Sequence, residues 1–169
     1  GGKTLQQGML QGPYDQSASV ESRSDVVVFT TPPLADEVQV KGEVSIELFV
    51  SSDRRDTDFA VRLTEVYPDG RSILMSDAMQ RMRFRNGYTV QDTAAMVPGT
   101  IYPITITLDD LANTFQAGNR IRLIISSSNY PRYNRNMNTN GLMYPNNDPD
   151  TLVAPLVASN TVYVGGNTP

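Results

Sequence analysis

Between Glu43 and Ser51 an apolar residue stands at every second position: Val44, Ile46, Leu48 and Val50. Side chains alternate faces along a strand, so this spacing sends one apolar row into a core and suits no helix, whose faces repeat every 3.6 residues. The pattern recurs along the chain. Val26-Val27-Val28-Phe29 is a compact apolar run that Pro32-Pro33 stops, and Glu37-Val38-Gln39-Val40 follows before a break at Gly42. Phe59, Val61 and Leu63 lead into Tyr67-Pro68-Asp69-Gly70, a strong turn sequence. Tyr102, Ile104, Ile106 and Leu108 predict another strand, Ile121, Leu123 and Ile125 a further one, and Thr161 to Val164 a late one.

Four stretches read differently. Gly1 to Ser24 is rich in Gly, Gln and Ser and reads as an extended arm or linker, which leaves residues 25–169 as the folded domain. Ser72 to Arg85 is ambiguous. As a helix its arginines would be smeared around the axis, whereas as a strand Ala78, Gln80, Met82 and Phe84 face one way and Met79, Arg81, Arg83 and Arg85 the other. The strand is the better reading. Asp109 to Gln116 can hold one helical turn, capped by Asp109 or Asp110 and ended by Gly118. Asn129 to Asp150 is a long, asparagine-rich loop too polar to pack as an element. Many short strands, 11 prolines and 12 glycines predict an all-β sandwich, and the strand number suits a jelly roll better than an immunoglobulin fold.

Composition removes whole classes of function. The 169 residues include no His, no Cys and no Trp. Ser-His-Asp and Cys-His nucleophile pairs are therefore excluded within this chain, as are ordinary zinc, haem and iron–sulfur sites. The chain by itself is expected to be no enzyme and to carry no cofactor. A net charge of −4 repels a phosphate backbone, so nucleic acid is a poor partner. No run of about 18 apolar residues exists to span a membrane, and the first residues show no basic-then-apolar targeting segment, so the sequence assigns no compartment. Only Lys3 and Lys41 are lysines, and the other cations are arginines, the residue suited to fixed bidentate contacts.

Several segments taken together resemble a known family. They are Gly12-Pro13-Tyr14-Asp15-Gln16, Asp25-Val26-Val27-Val28-Phe29-Thr30-Thr31 and Leu48-Phe49-Val50-Ser51-Ser52, followed by Asp56-Thr57-Asp58-Phe59 and Val66-Tyr67-Pro68-Asp69-Gly70-Arg71. Ala117-Gly118-Asn119-Arg120-Ile121-Arg122 and Ser126-Ser127-Ser128-Asn129-Tyr130-Pro131-Arg132-Tyr133 complete the set. In this order they resemble the C-terminal, non-catalytic domain of the X-Pro dipeptidyl-peptidase and cocaine-esterase superfamily, within it most nearly the glutaryl-acylase and α-amino-acid ester hydrolase branch. The resemblance implies a jelly-roll β-sandwich of galactose-binding-domain type, joined to an upstream α/β-hydrolase domain that holds the catalytic Ser, His and Asp. It also implies that the Leu48-Phe49 pair walls an acyl pocket in a parent serine hydrolase, which leaves room for a homo-oligomeric parent. Two departures stand out. Gly165-Gly166-Asn167-Thr168-Pro169 falls where the family adds one more apolar strand, which predicts a truncated last strand, and Asn119 occupies a position where relatives often have His.

Each candidate site has a plainer rival. Asp53, Asp56 and Asp58 could offer oxygens to calcium, but the spacing lacks the Gly and the closing Glu of an EF-hand, and loop carboxylates more often bond backbone. No metal is therefore expected. Arg81, Arg83 and Arg85 could form an anion-binding stripe, or could pair across strands with Glu47 or Glu65, which is the favoured reading. Tyr130, Arg132, Tyr133 and Asn136 lie in a loop whose chemistry suits either sugar or protein, and contact with the catalytic domain is preferred over a carbohydrate-binding module. Phe49 is an aromatic on the polar side of an alternating strand, beside Ser45, Glu47 and Ser51.

Overall fold

A computed structural model of the chain describes residues 14–141 and 154–165. Among them are nine strands: β1 (Val26–Thr30), β2 (Val38–Gly42), β3 (Ser45–Ser52), β4 (Asp58–Val66), β5 (Ser72–Arg81), β6 (Tyr102–Thr107), β7 (Leu111–Phe115), β8 (Arg120–Ser126) and β9 (Asn160–Tyr163). Among the described residues helical structure is limited to a π-turn at Ser17–Glu21 and a 3₁₀ turn at Met82–Phe84. The all-β class read from the sequence holds. No helix among the described residues is long and apolar enough to cross a membrane.

The chain divides into two compact units, with divisions inside β3, β4, β5 and β6 and another between Asn134 and Arg135. The first unit comprises Gly1–Ile46, Ala60–Met79 and Ile106–Asn134. It contains a four-stranded sheet in the order β1-β8-β4-β5 and a two-stranded sheet of β2 with β7. β8 lies antiparallel to both neighbours, with Val26 opposite Ser126 on one side and Ala60 opposite Ser126 on the other. β4 is buried at every position, so both of its faces are covered. Val61, Ile124 and Ile125 supply apolar core here, with Phe115 from β7. A tight turn closes β4 onto β5: Tyr67 N–H bonds the Arg71 carbonyl at 2.9 Å and Gly70 takes φ +91°, a backbone angle that a side chain would strain. Within the described part of the amino-terminal segment, Gln16 and Val20 are buried and Asp15 bridges to Ile73.

The second unit comprises Glu47–Phe59, Gln80–Thr105 and Arg135–Pro169, and its sheet runs β6-β3-β9. β3 and β9 are antiparallel, Phe49 opposite Tyr163 and Ser52 opposite Asn160, and Ser51 Oγ lies 3.0 Å from the Tyr163 hydroxyl.

Two expectations are corrected. The strand predicted to reach Arg85 stops at Arg81, because Met82 turns inward to complete burial while the Arg83 N–H bonds the Asp56 carboxylate at 2.9 Å. Asp109 to Gln116 holds no helical turn. Residues 111–115 form β7, whose ladder with β2 (Val38 opposite Phe115) pairs backbone groups that a single turn would leave open.

Candidate functional site

β3 is regular, and its alternation does what the sequence requires: Leu48 and Val50 are buried, while Phe49 is half-buried and Glu47 exposed. In β6, Ile104 and Ile106 are buried and Pro103 and Thr105 exposed. A hollow of about 450 Å³ lies here, lined by Glu47, Leu48, Phe49, Gln80, Arg85, Pro103, Ile104 and Thr105. Its apolar surface comes from strand residues and its single cation from the segment that follows β5. Arg85 is fixed in place: Nη1 donates to the carbonyls of Met82 (2.8 Å) and Ala94 (2.6 Å), Nη2 to that of Ala95 (3.3 Å), and the guanidinium lies 4.6 Å from the centre of the Tyr102 ring.

The other two arginines of the predicted stripe behave differently. Arg81 grips Asp58 with Nε and Nη2, both at 2.9 Å, and Arg83 Nε donates to Asp56 at 2.6 Å. Asn136 Nδ2 joins the two pairs, donating to Asp56 Oδ2 (2.9 Å) and Asp58 Oδ1 (2.8 Å). The partners are thus Asp58 and Asp56, not the predicted Glu47 or Glu65. Both aspartates are buried in loop-to-strand positions that the glutamates, one exposed and one engaged elsewhere, do not share. Burial pushes the Asp58 carboxyl above the ordinary aspartate range, aided by Asp56 and opposed by Arg81 and Asn136. Asp53 stands apart: it is exposed and accepts from the Ser159 N–H at 2.7 Å. No group of three potential metal ligands occurs among the described residues.

The loop residues separate as well. Arg132, in the first unit, pairs with Asp77 at 3.2 Å and more loosely with Asp109 at 3.7 Å, with its guanidinium 5.7 Å from the centre of the Tyr133 ring. Tyr130 is exposed. Asn136 belongs to the second unit, where it holds the aspartate pair. Asp77 in turn accepts from Asn129 Nδ2, and Asn129 Oδ1 accepts from Arg62 Nη2 at 2.7 Å. Arg62 is 1% exposed, and burial lowers its pKa while Asp77 opposes the shift. Sequence alternation gave no sign of it, since Val61 and Leu63 mark the apolar side and leave Arg62 for solvent. Asn119 is buried and donates to Glu65 Oε1 at 2.7 Å.

Strands carry the architecture, and the buried aspartates are tied up in ion pairs and in hydrogen bonds from side-chain amides. These features define an all-β domain whose buried Asp56 and Asp58 carboxylates are already engaged. The chain belongs to the family of X-Pro dipeptidyl-peptidase C-terminal non-catalytic domains, which it matches over residues 3–169. It is similar to cocaine esterase of Rhodococcus sp. (strain MB1 Bresler), 42% identical over 143 residues, which are 85% of this chain and 24% of that protein. Among solved structures it resembles an α-amino acid ester hydrolase, with a TM-score of 0.80 at 28% identity over 90% of this chain and 25% of that one. An aminopeptidase from the marine sediment archaeon Thaumarchaeota archaeon aligns with a TM-score of 0.79 at 29% identity, over 89% of this chain and 25% of that one. The chain therefore spans about a quarter of the length of these relatives, which are hydrolases by name. A free-standing carbohydrate-binding module is not favoured by this company.

Proposed function

We propose that this domain serves a longer acyl hydrolase as a jelly-roll sandwich that stabilises an upstream α/β-hydrolase domain and walls its acyl-binding pocket through Phe49, with Leu48 beneath. Catalysis would belong to the upstream domain, by Ser nucleophile, His base and Asp orienter. The observation that carries the reading is the hollow beside β3: Phe49 is only half-buried there although its strand neighbours Leu48 and Val50 are core. A regular strand cannot aim both members of a Leu-Phe pair outward, so Phe49 makes the contact and Leu48 holds the wall in place.

The test is kinetic and uses the full-length parent. Phe49→Ala is expected to raise KM for bulky aryl or long acyl substrates with little change for acetyl esters, a loss of about 1–3 kcal/mol in kcat/KM. Equal effects across acyl sizes in a folded parent would leave the domain a purely structural role. Tyr130, Arg132 and Tyr133 are assigned to contact with the catalytic domain in the same reading, Tyr130 because it is exposed. The isolated chain is expected to hydrolyse no activated ester above the buffer rate, measured at stoichiometric protein.

A further inference from the structure

We infer that the hollow beside β3 is a carboxylate-binding site in which Arg85 is the receptor for the anion and Phe49 contacts its apolar stem. This goes beyond the acyl-wall reading, because it assigns a ligand charge and a residue which that reading does not use.

Three arginines stand at alternate positions, and only one keeps an open charge. Arg81 and Arg83 are each neutralised by a buried carboxylate, Asp58 and Asp56. Arg85 forms no ion pair among the described residues, its partners being three neutral carbonyls and the Tyr102 ring. Carbonyl oxygens orient a guanidinium without cancelling its charge. The geometry of what remains is specific. Both Nη1 contacts and the one from Nη2 are spoken for, while Nε makes no hydrogen bond among the described residues and Nη2 retains a second N–H. Nε with Nη2 is the side-on pair of donors that Arg81 uses to hold Asp58 at 2.9 Å through both oxygens. Arg85 thus offers the same two-pronged grip, unused, in a hollow of about 450 Å³ that also presents Phe49 and Pro103.

The charge balance narrows the ligand further. Glu47 lines the hollow too, exposed and not ion-paired to Arg85 among the described residues. It weakens binding of any anion and penalises a dianion most. The ligand that fits is a monocarboxylate on an apolar stem.

The experiment uses the full-length parent and measures the Kd of hexanoate by calorimetry at low ionic strength, with hexanamide as the uncharged counterpart. Hexanoate is expected to bind about tenfold tighter than hexanamide, as a charge-assisted two-pronged bond implies. Arg85→Gln is expected to erase that preference. Because Arg85 also braces three carbonyls, Glu47→Gln gives an independent arm outside that bracing, and it is expected to tighten hexanoate severalfold. Equal affinities for the two compounds, a preference that survives Arg85→Gln, or an unchanged hexanoate Kd in Glu47→Gln would each overturn the assignment. The acyl-wall reading is decided separately by Phe49→Ala kinetics, so either can fail without the other.

Discussion

Arg81 and Arg83 in the second unit and Arg62 in the first are all largely buried, and their charges are met in different ways. In the second unit Arg81 and Arg83 sit directly on Asp58 and Asp56, with Asn136 tying the pairs together. In the first, Arg62 hydrogen-bonds only neutral oxygens among the described residues, Ser126 Oγ at 3.1 Å and Asn129 Oδ1, and meets Asp77, which also pairs with Arg132, through the Asn129 amide. Direct pairing makes each partner indispensable, since removing one strands the other in a dry site. A carboxylate reached through an amide is more forgiving, because the hydrogen bonds of the guanidinium survive its loss. The comparison separates two meanings of a buried arginine: one half of an ion pair, or a rigid donor to a loop.

The largest effect expected from breaking this contrast is at Asp56. Asp56→Ala leaves Arg83 largely buried without its carboxylate and is expected to lower unfolding free energy by about 3–5 kcal/mol in a denaturant titration. Removing Arg83 as well should recover much of that loss, and a double-mutant cycle measures the coupling. Asp77→Ala comes next, at about 1.5–3 kcal/mol, since it deprives Asn129 and Arg132 of an acceptor but leaves Arg62 bonded. If Asp77→Ala costs as much as Asp56→Ala, the distinction between direct and relayed neutralisation is lost. Asn136→Ala removes a neutral donor shared by two carboxylates and is expected to cost about 1 kcal/mol.

A smaller effect appears on the pH axis. A carboxyl with a higher pKa folded than unfolded takes up protons on folding, so its contribution to stability falls as pH rises through the window between the two values. For Asp58 that window opens at the ordinary value of 3.8 and extends upward. Asp58→Asn is expected to flatten this part of the stability–pH curve. Asp25, held down chiefly by its hydrogen bond from Arg23, acts in the opposite sense below 3.8. Calcium is expected to do nothing. A site filled at a hundred times its Kd would add about 2.7 kcal/mol, and equal melting midpoints with calcium and with chelator are the outcome expected from carboxylates already engaged with Arg81, Arg83 and Asn136.

What was legible in the sequence followed the period of two. The row Val44, Ile46, Leu48 and Val50, the Tyr67-Pro68-Asp69-Gly70 turn and the late strand near Thr161 are local patterns, and local patterns survive folding. The misread stretches are those in which a distant partner decides. Residues 111–115 become strand because β2 offers a ladder, and the strand before Arg83 ends early because Asp56 draws that backbone aside. The candidate site divides along the same line. Phe49 was visible as an aromatic on the wrong side of an alternating strand. The Asp56 and Asp58 motif and the arginine stripe are both visible in the sequence, but nothing in the chain order says that Asp56 and Asp58 cancel Arg83 and Arg81, or that Arg85 is left over. Arg62 gave no signal at all, because its burial depends on Asn129 from the loop after β8.

The position of β8 in its sheet also sets an order of events. It lies between β1 and β4, so β1 has no neighbour, and β4 only β5, until the chain has been synthesised as far as Ser126. Until then two β-rich segments wait with open edges, and pairing across that separation in the chain is slow compared with closing a hairpin. A ribosome makes residues one after another, at about 5–20 per second, so the interval lasts seconds. During it the open edges of β1 and β4 are available to the wrong strand.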